Sequence, residues 1–375
     1  MRTVDAAGLG IGDDHPPRIM GVLNVSKESP YSPSVYDDAD EAAAYVDEEL
    51  IEQGADIVDI GLESANKRFD VLSAEQELDR LDVALETIER VDGDAVFSIE
   101  TRYHEVADEA LSRGFDMVND ICGFADPEMP DVCEAHDAAV AKMASPPDLE
   151  RPGAVEDVDD IYDALSLNGF TDKTIVDPAF GGWSEEKTLE DDRETFARLR
   201  EFRALGRPIL VSINRKNFLR DLAGRSTEEA LPVSLAATSM AVERGAHVIR
   251  THDVAETRDA AIIGDAFSRD RARTPAVEEL DVTTVREASR HLEERGGDGA
   301  ESGESVARAF AVRGLDDADR QTLERHAAET GVVATGDEEL FVAGTVADLR
   351  RFADALSGES GRLPGVAEEL VSPLT

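Results

Sequence analysis

The segment AVFSIETRYHEVADEALSRGFDMVNDI, residues 95–121, contains one complete unit of strand, helix and second strand. Residues 95–101 form a short, largely apolar run with the length of a β-strand. Residues 103–113 have a helical pattern, and Gly114 is the residue type that commonly ends a helix. The apolar run at residues 117–121 predicts the next strand. A helix between two strands is the repeating unit of α/β folds, so the segment indicates that class.

The same alternation continues on both sides of this segment. The eight predicted strands are residues 18–26, 55–61, 95–101, 117–121, 138–144, 174–180, 208–214 and 247–253. Eight strand–helix units in about 250 residues match a (β/α)8, or TIM, barrel. A doubly wound open sheet is the alternative, but it would favour a glycine-rich phosphate turn after the first strand. The sequence there is LNVSKESPYSP, so we predict a TIM barrel over residues 1–270.

Beyond residue 270 the pattern changes. Residues 271–304 are predicted to form a helix followed by a linker, GGDGAESGE, at 296–304. Residues 305–375 are predicted to form a small α/β domain, with strands near 306–312, 332–335 and 340–343 and helices over 316–330 and 346–356. This domain shows no catalytic constellation. Packing, oligomer contact and regulation are the roles that its sequence leaves open.

Acidic side chains are spread along the whole chain. There are 82 Asp and Glu residues against 38 Lys and Arg, for a formal net charge of −44, and 41% of the residues are hydrophobic. This charge disfavours nucleic acid and anionic membranes as partners, because both repel such a surface. Dispersed acids with few lysines are typical of proteins that stay dissolved in concentrated salt. No apolar run reaches the roughly 18 residues of a membrane span and no signal peptide is evident, so we predict a cytoplasmic protein from a halophile.

Polar residues follow the apolar part of each predicted strand. They are Asn24, Asp59, Glu63, Glu100, Asn119, Asp120, Lys142, Asp177, Asn214, Lys216, Arg250 and His252. A barrel enzyme builds its active site at these C-terminal strand ends. Five of the six lysines and several arginines also lie there: Lys27, Lys67, Lys142, Lys187, Lys216, Arg68, Arg102, Arg215 and Arg250. We therefore predict that this face contains the site and carries a concentrated basic charge, which suits an anionic substrate.

Several of these strand ends carry motifs in a defined order. They are IMGVLNVS at 19–26, EVADEAL at 105–111 followed by VNDICG at 118–123, VDP at 176–178, NRK at 214–216 and RTHDVAET at 250–257. Taken together, these motifs resemble the dihydropteroate synthase family across about residues 18–265. That family joins 6-hydroxymethyl-7,8-dihydropterin diphosphate to p-aminobenzoate, releases diphosphate, requires Mg²⁺ and is commonly homodimeric.

The resemblance assigns roles to individual residues. It implies that Asn24 helps to hold the metal and the diphosphate, and that Arg250 and His252 bind the diphosphate. The residues implied to bind the pterin are Glu100, Asn119, Asp177 and Lys216. Lys216, Arg250 and His252 are then the expected catalytic residues. Glu100 stands where the family has an aspartate.

The second loop departs from the family pattern. The family has threonine and arginine where this chain has Ala65 and Asn66. We expect Lys67 or Arg68 to supply the positive charge toward the diphosphate from one or two positions away.

These residue types suit that chemistry. A pterin edge displays hydrogen-bond donors and acceptors that amides and carboxylates can match. Arg, Lys, His and Mg²⁺ stabilise the negative charge that develops as diphosphate leaves. Two alternatives are a pterin-dependent methyltransferase of the same superfamily, which would have no need of a diphosphate clamp, and a non-catalytic pterin-binding protein.

Overall fold

The computed structural model describes residues 1–25, 34–63, 71–181, 184, 186–274 and 276–374. The chain folds into two compact units, Met1–Asp270 and Arg271–Thr375. Within the described residues, no helix is both long and apolar enough to cross a membrane.

The first unit begins with a hairpin of two three-residue strands, β1 (Val4–Ala6) and β2 (Leu9–Ile11), which the sequence analysis did not predict. The barrel strands follow: β3 (Arg18–Asn24), β4 (Ile57–Gly61), β5 (Val96–Thr101), β6 (Met117–Asp120), β7 (Ala139–Met143), β8 (Thr174–Asp177), β9 (Leu210–Ser212) and β10 (Val248–Thr251). Each pairs in parallel with its neighbour, β10 returns to β3, and a bridge between Val176 and Ile209 joins β8 to β9. The predicted (β/α)8 barrel is confirmed.

Helices cover the outside of the barrel. They are α1 (Ala39–Tyr45, continued by a π-helical turn at Val46–Ile51), α2 (Ala74–Arg90), α3 (His104–Ser112), α4 (Met129–Ala135), α5 (Val158–Ser166), α6 (Leu189–Ala197, followed by a 3₁₀ turn at Leu199–Leu205), α7 (Asn217–Ala223), α8 (Leu231–Glu243) and α9 (Val254–Ala266). Helix α2 begins with a reciprocal capping box between Ser73 and Gln76, which satisfies two backbone N–H groups at its start.

One apolar side chain from each barrel strand forms the lower layer of the barrel interior. The layer comprises Met20, Ile57, Val96, Met117, Ala139, Ile175, Leu210 and Val248. Val4, Ala6 and Ile11 of the hairpin belong to the same buried cluster. The hairpin therefore closes the N-terminal end of the barrel with apolar side chains.

The second unit is an α/β domain built on a three-stranded antiparallel sheet. Its strands are β11 (Ala307–Arg313), β12 (Val333–Thr335) and β13 (Glu339–Thr345), in the order β11–β13–β12. Its helices are α10 (Val285–Glu293), α11 (Asp317–Thr330), α12 (Val346–Ser357) and α13 (Leu363–Val371). Leu323, Leu340, Leu349 and Phe352 lie in its core. Residues 299–304, expected within a linker, form a 3₁₀ turn in which Ser302 and Gly303 are buried.

Candidate active site

The side chains of the barrel strands alternate between the interior and the helix layer. Two residues beyond the lower apolar layer, this alternation gives an upper layer with several polar side chains. That layer includes Asp59, Ser98, Asn119, Asp177, Ser212 and Arg250. Asn24, Glu100 and His252 share the same inward parity further along β3, β5 and β10. The expected pterin-binding and diphosphate-binding residues of the described strands therefore converge inside the C-terminal end of the barrel.

Asp59 on β4 is fully buried and accepts hydrogen bonds from side chains of three other strands, β5, β6 and β10. Its Oδ1 accepts from Ser98 Oγ at 2.8 Å, and its Oδ2 accepts from Asn119 Nδ2 at 2.9 Å and from Arg250 Nε at 2.7 Å. A carboxylate is the side chain suited to this position, because an ionised carboxyl accepts on both oxygens and donates on neither. The sequence identifies Asp59 only as a polar residue at a strand end.

Arg250 lies between two carboxylates. Besides its bond to Asp59, it donates from Nη2 to Glu100 Oε2 at 2.6 Å. Burial raises the pKa of Glu100 to about 7; the charge of Arg250 opposes this rise and that of Asp59 adds to it. One guanidinium thus balances two buried acids, and Glu100 gains or loses its proton near neutral pH.

Asp177 and Lys216 form a second charged pair of residues in the site. Burial raises the pKa of Asp177 to about 6, against the hydrogen bond from Ala179 N and the charge of Lys216. Burial lowers the pKa of Lys216 to about 8, against the charge of Asp177. Lys216 Nζ donates to the Phe180 carbonyl at 2.6 Å. A Cβ at Gly181, where φ is +112°, would lie 2.9 Å from that Nζ, so glycine lets the lysine approach the backbone.

His252 and Asn24 meet at Ser34. Ser34 Oγ lies 3.2 Å from His252 Nδ1 and accepts from Asn24 Nδ2 at 3.1 Å. Burial, with the nearby charge of Arg250, lowers the pKa of His252 to about 3. The imidazole is therefore neutral at physiological pH and acts through hydrogen bonding.

The backbone after two of the strands adopts the left-handed conformation at residues other than glycine. Ala179, after β8, has φ 58°, and Arg215, after β9, has φ 49°. Such conformations cost free energy, and surrounding contacts must hold them. Here Ala179 N donates to Asp177, and Arg215 is paired bidentately with Asp253 at 2.8 and 2.9 Å. The turns thus fix the residues that flank the site.

The expected placement of Lys142 on this face was wrong. Its side chain points outward from β7 and is buried in the helix layer, where Nζ donates to the carbonyls of Leu165, in the last turn of α5, and of Leu167 and Gly169, which follow it. Asp120 also has the outward parity and accepts from Cys122 N and Phe124 N in the turn after β6. A polar residue at a strand end reaches the site only if its side chain points into the barrel.

Several cationic side chains on this face lie next to carboxylates that offset their positive charge, which was not expected. Arg102 pairs with Glu63 at 2.5 Å, and Lys187 lies 3.5 Å from Asp192 while it donates to Ala179 O. Asn214 donates to Asp253, the carboxylate that also holds the arginine following it. The predicted diphosphate ligands Lys67 and Arg68, as well as Lys27, lie outside the described residues.

A cavity at the C-terminal end of the barrel joins these groups. Its lining residues are Glu100, Asn119, Ile121, Met143, Asp177, Ala179, Phe180, Ser212, Lys216 and Arg250. The lining combines carboxylate and amide oxygens with one ammonium and one guanidinium group, and the guanidinium of Arg250 donates directly to Glu100. Such a cavity can bind a flat heterocycle rich in N–H donors and, beside it, an anion.

Comparison with known proteins finds relatives of this chain. The pattern of the pterin binding enzyme family matches residues 20–252. A dihydropteroate synthase of Clostridium beijerinckii is 31% identical over 258 residues, which cover 67% of this chain and 94% of the relative. A probable bifunctional folylpolyglutamate synthase/dihydropteroate synthase of Halobacterium salinarum is 35% identical over 261 residues, which cover 66% of this chain and 31% of the relative.

A solved structure shows the same barrel. A dihydropteroate synthase of Coxiella burnetii in complex with pteroic acid matches with a TM-score of 0.59 and 29% identity, over 70% of this chain and 98% of that chain. The chain spans about a third of the length of this Halobacterium salinarum relative and of a relative with the same name from Haloferax volcanii, to which it is 34% identical. The family match at residues 20–252 contains seven barrel strands in full and all of β3 except its first two residues. The chain therefore belongs to the dihydropteroate synthase family of pterin-binding enzymes.

Proposed function

We propose that the barrel unit is a dihydropteroate synthase, a transferase that condenses 6-hydroxymethyl-7,8-dihydropterin diphosphate with p-aminobenzoate and releases diphosphate. The observation that carries the proposal is the cavity in which Glu100, Asn119 and Asp177 lie beside Lys216 and Arg250. Acceptors for a pterin edge and cations for a diphosphate meet there. The pteroic acid bound in the Coxiella burnetii relative supports this substrate class.

The pterin would be recognised by its hydrogen-bonding edge, which carries several N–H donors next to a carbonyl oxygen. Asn119 donates its Nδ2 to Asp59, so its Oδ1 is the atom that can accept from the ligand. The carboxylates of Glu100 and Asp177 supply further acceptors, and Lys216 supplies a donor for the carbonyl. A buried polar edge must be matched in this way, because each unmatched group costs about 1–3 kcal/mol.

The cationic residues would act on the departing diphosphate. Negative charge grows on the leaving oxygen as its bond to the pterin methylene breaks, and positive groups stabilise that charge most as it develops. Arg250 and Lys216 provide the charge, and neutral His252 provides a hydrogen bond. The p-aminobenzoate nitrogen already has a lone pair, so the reaction requires no strong base. We expect a displacement with cationic character at the methylene and no covalent enzyme intermediate.

Asn24 would hold a Mg²⁺ ion together with the diphosphate. Mg²⁺ prefers oxygen ligands and often binds through one or two protein oxygens plus substrate phosphates. Because Asn24 donates from Nδ2 to Ser34, its Oδ1 is the atom that can face a cation, and this donor fits the ion. Bound there, the ion would neutralise charge on the diphosphate oxygens.

The working environment and assembly also belong to the proposal. The net charge of −44 and the halophilic relatives support a protein that works in concentrated salt in the cytoplasm. A homodimer follows from the family resemblance, and light scattering in molar KCl tests it.

The deciding experiment incubates the protein in molar KCl with Mg²⁺, the dihydropterin diphosphate and p-aminobenzoate. We expect diphosphate and dihydropteroate to appear in equal amounts. Pterin binding without turnover would favour the non-catalytic alternative. Methyl transfer from a methylated pterin to a corrinoid would favour the methyltransferase, against which Arg250 and Lys216 in the cavity argue.

A further inference from the structure

We infer that Asp59 is a positioning residue that serves both halves of the substrate site at once. The inference rests on the proposed function and deepens it, because it adds a residue that does not touch the substrate. Asp59 is fully buried, and both of its oxygens already accept hydrogen bonds. Its effect on binding therefore passes through the side chains that it holds.

The first of these side chains is Asn119. Asp59 fixes the orientation of its amide group. An ionised carboxylate can only accept, so Asn119 must turn its Nδ2 toward Asp59, at 2.9 Å, and its Oδ1 away from it. Asn119 lines the cavity. It therefore presents an acceptor to the ligand, and the reversed amide would present donors to a pterin edge that itself donates.

The second side chain is Arg250, which Asp59 holds through Nε at 2.7 Å. The other bond of this guanidinium goes from Nη2 to Glu100 Oε2. Glu100 lines the cavity and is itself an expected pterin ligand, so its bond to Arg250 competes with the pterin. The bond to Asp59 does not compete with it, because Asp59 is closed to the ligand. Asp59 thus keeps Arg250 in place for the diphosphate when the pterin engages Glu100.

Ser98 completes the arrangement, since its hydroxyl donates to Asp59 Oδ1 at 2.8 Å. The carboxylate receives one hydrogen bond from β5, one from β6 and one from β10. An asparagine of the same size would offer one accepting oxygen and an NH₂ group, and it could not receive all three donors. Asp59→Asn is therefore the informative substitution.

The test measures two ligands separately by calorimetry in molar KCl: 6-hydroxymethylpterin, which lacks the diphosphate, and inorganic pyrophosphate with Mg²⁺. Asp59→Asn should lower the affinity for both ligands by about 10-fold or more, as expected for losing a hydrogen bond to a charged group. Asn119→Ala should lower the affinity for the pterin far more than the affinity for pyrophosphate. The matched control is Asp56→Asn, immediately before β4, whose carboxylate accepts from Ile19 N and Arg18; it should change neither affinity.

A double-mutant cycle separates positioning from general loosening of the structure. If Asp59 acts on the pterin through Asn119, the double variant D59N/N119A should bind the pterin no worse than N119A alone. Additive losses, or wild-type affinities in D59N, would overturn the inference. If D59N does not fold, Ser98→Ala should lower the affinity for both ligands by a smaller factor. Unchanged affinities in S98A would also overturn the inference. Failure of the wild type to bind either ligand would instead contradict the proposed function.

Discussion

Each end of the barrel contains a buried cluster of charged side chains, and the two clusters combine acids and bases in opposite proportions. At the N-terminal end, one carboxylate, Asp13, accepts from two cationic or basic partners: Arg203 Nη2 at 2.8 Å and His247 Nε2 at 3.0 Å. At the C-terminal end, one cation, Arg250, donates to two carboxylates, Asp59 and Glu100. All of these side chains are largely buried, so the balance between them decides how each group behaves.

The pKa values follow this balance. Burial alone would raise the pKa of Asp13, but the hydrogen bond from His247 and the charges of Arg203 and His247 hold it well below its usual range. At the other end, burial raises the pKa of Glu100 to about 7 and that of Asp177 to about 6. In the N-terminal network, two donors hold the single carboxylate of Asp13. At the C-terminal end, both carboxyl groups with a raised pKa line the cavity, and buried carboxyls with perturbed pKa values in a cavity are typical of functional sites.

The largest effect that we predict is on stability, at the N-terminal end. Asp13→Ala leaves the buried Arg203 without its carboxylate, and breaking a buried ion pair from one side costs about 3–5 kcal/mol of the free energy of unfolding. Denaturant unfolding in fixed molar KCl measures this loss. Asp14→Ala, at the exposed neighbouring position, is the control. A fall in kcat/KM of the folded D13A variant would break the comparison, because it would mean that the two ends are coupled.

The next effect falls on catalysis, at the C-terminal end. Lys216→Ala should lower kcat/KM by about 10²–10³-fold, as for loss of one preorganised charge-stabilising group. The midpoint of thermal unfolding should not fall, because the variant no longer buries an ammonium group. Lys173→Ala is the matched control, since Lys173 pairs with Asp137 outside the site. Wild-type turnover in K216A would remove Lys216 from the site.

Much of the fold could be predicted from the sequence, because each barrel strand is a short apolar run between a glycine or polar turn and a helix. All eight predicted strands overlap β3–β10. Asn119, Asp177 and Arg250 could be predicted as neighbours, since the C-terminal ends of parallel strands in a barrel meet at one face. The hairpin β1–β2 could not, because two strands of three residues produce no recognisable periodicity.

Two features of the site could be recognised only from the contacts in the three-dimensional structure. Lys142 was misplaced because a lysine at a strand end looks like a site residue, although Ala139 and Ala141 on the same strand already occupy the inward parity. The sequence assigns Asp59 no role, because a residue that contacts only other side chains carries no chemical signature of a ligand. Its inward parity on β4, two residues after the buried Ile57, was the available signal.

A smaller effect should appear in the pH dependence of ligand affinity, which depends on the C-terminal end. Glu100 should accept from the pterin better as an ion, so the affinity for 6-hydroxymethylpterin should rise about 10-fold from pH 6 to pH 8, as one group with a pKa near 7 ionises. Glu100→Gln should flatten this dependence. A pH profile that E100Q leaves unchanged would assign the titration to another group.

Stability should respond to pH in the opposite sense at the two ends. A carboxyl whose folded pKa is raised holds its proton more tightly in the folded state, so Glu100 lowers stability progressively from about pH 4.5 to about pH 7. Asp13, whose folded pKa is depressed, contributes stability that is fully present above about pH 4 and is lost as the pH falls further. Unfolding of D13A and E100Q across this range, compared with the wild type, separates the two contributions.

The smallest effect compares the same deleted methylene at each end. Ile11, in the apolar cluster at the N-terminal end, is fully buried, and Ile11→Val should cost about 0.5–1.5 kcal/mol of stability with no change in KM. Ile121 is also buried but lines the cavity, so Ile121→Val should raise the KM for the pterin substrate instead. The stability cost of I121V should be the lower of the two, because the ligand cavity already interrupts the packing around it. Equal stability costs with equal KM values would show that the two ends are packed alike, and the contrast between a closed and a ligand-binding end would then rest on charge alone.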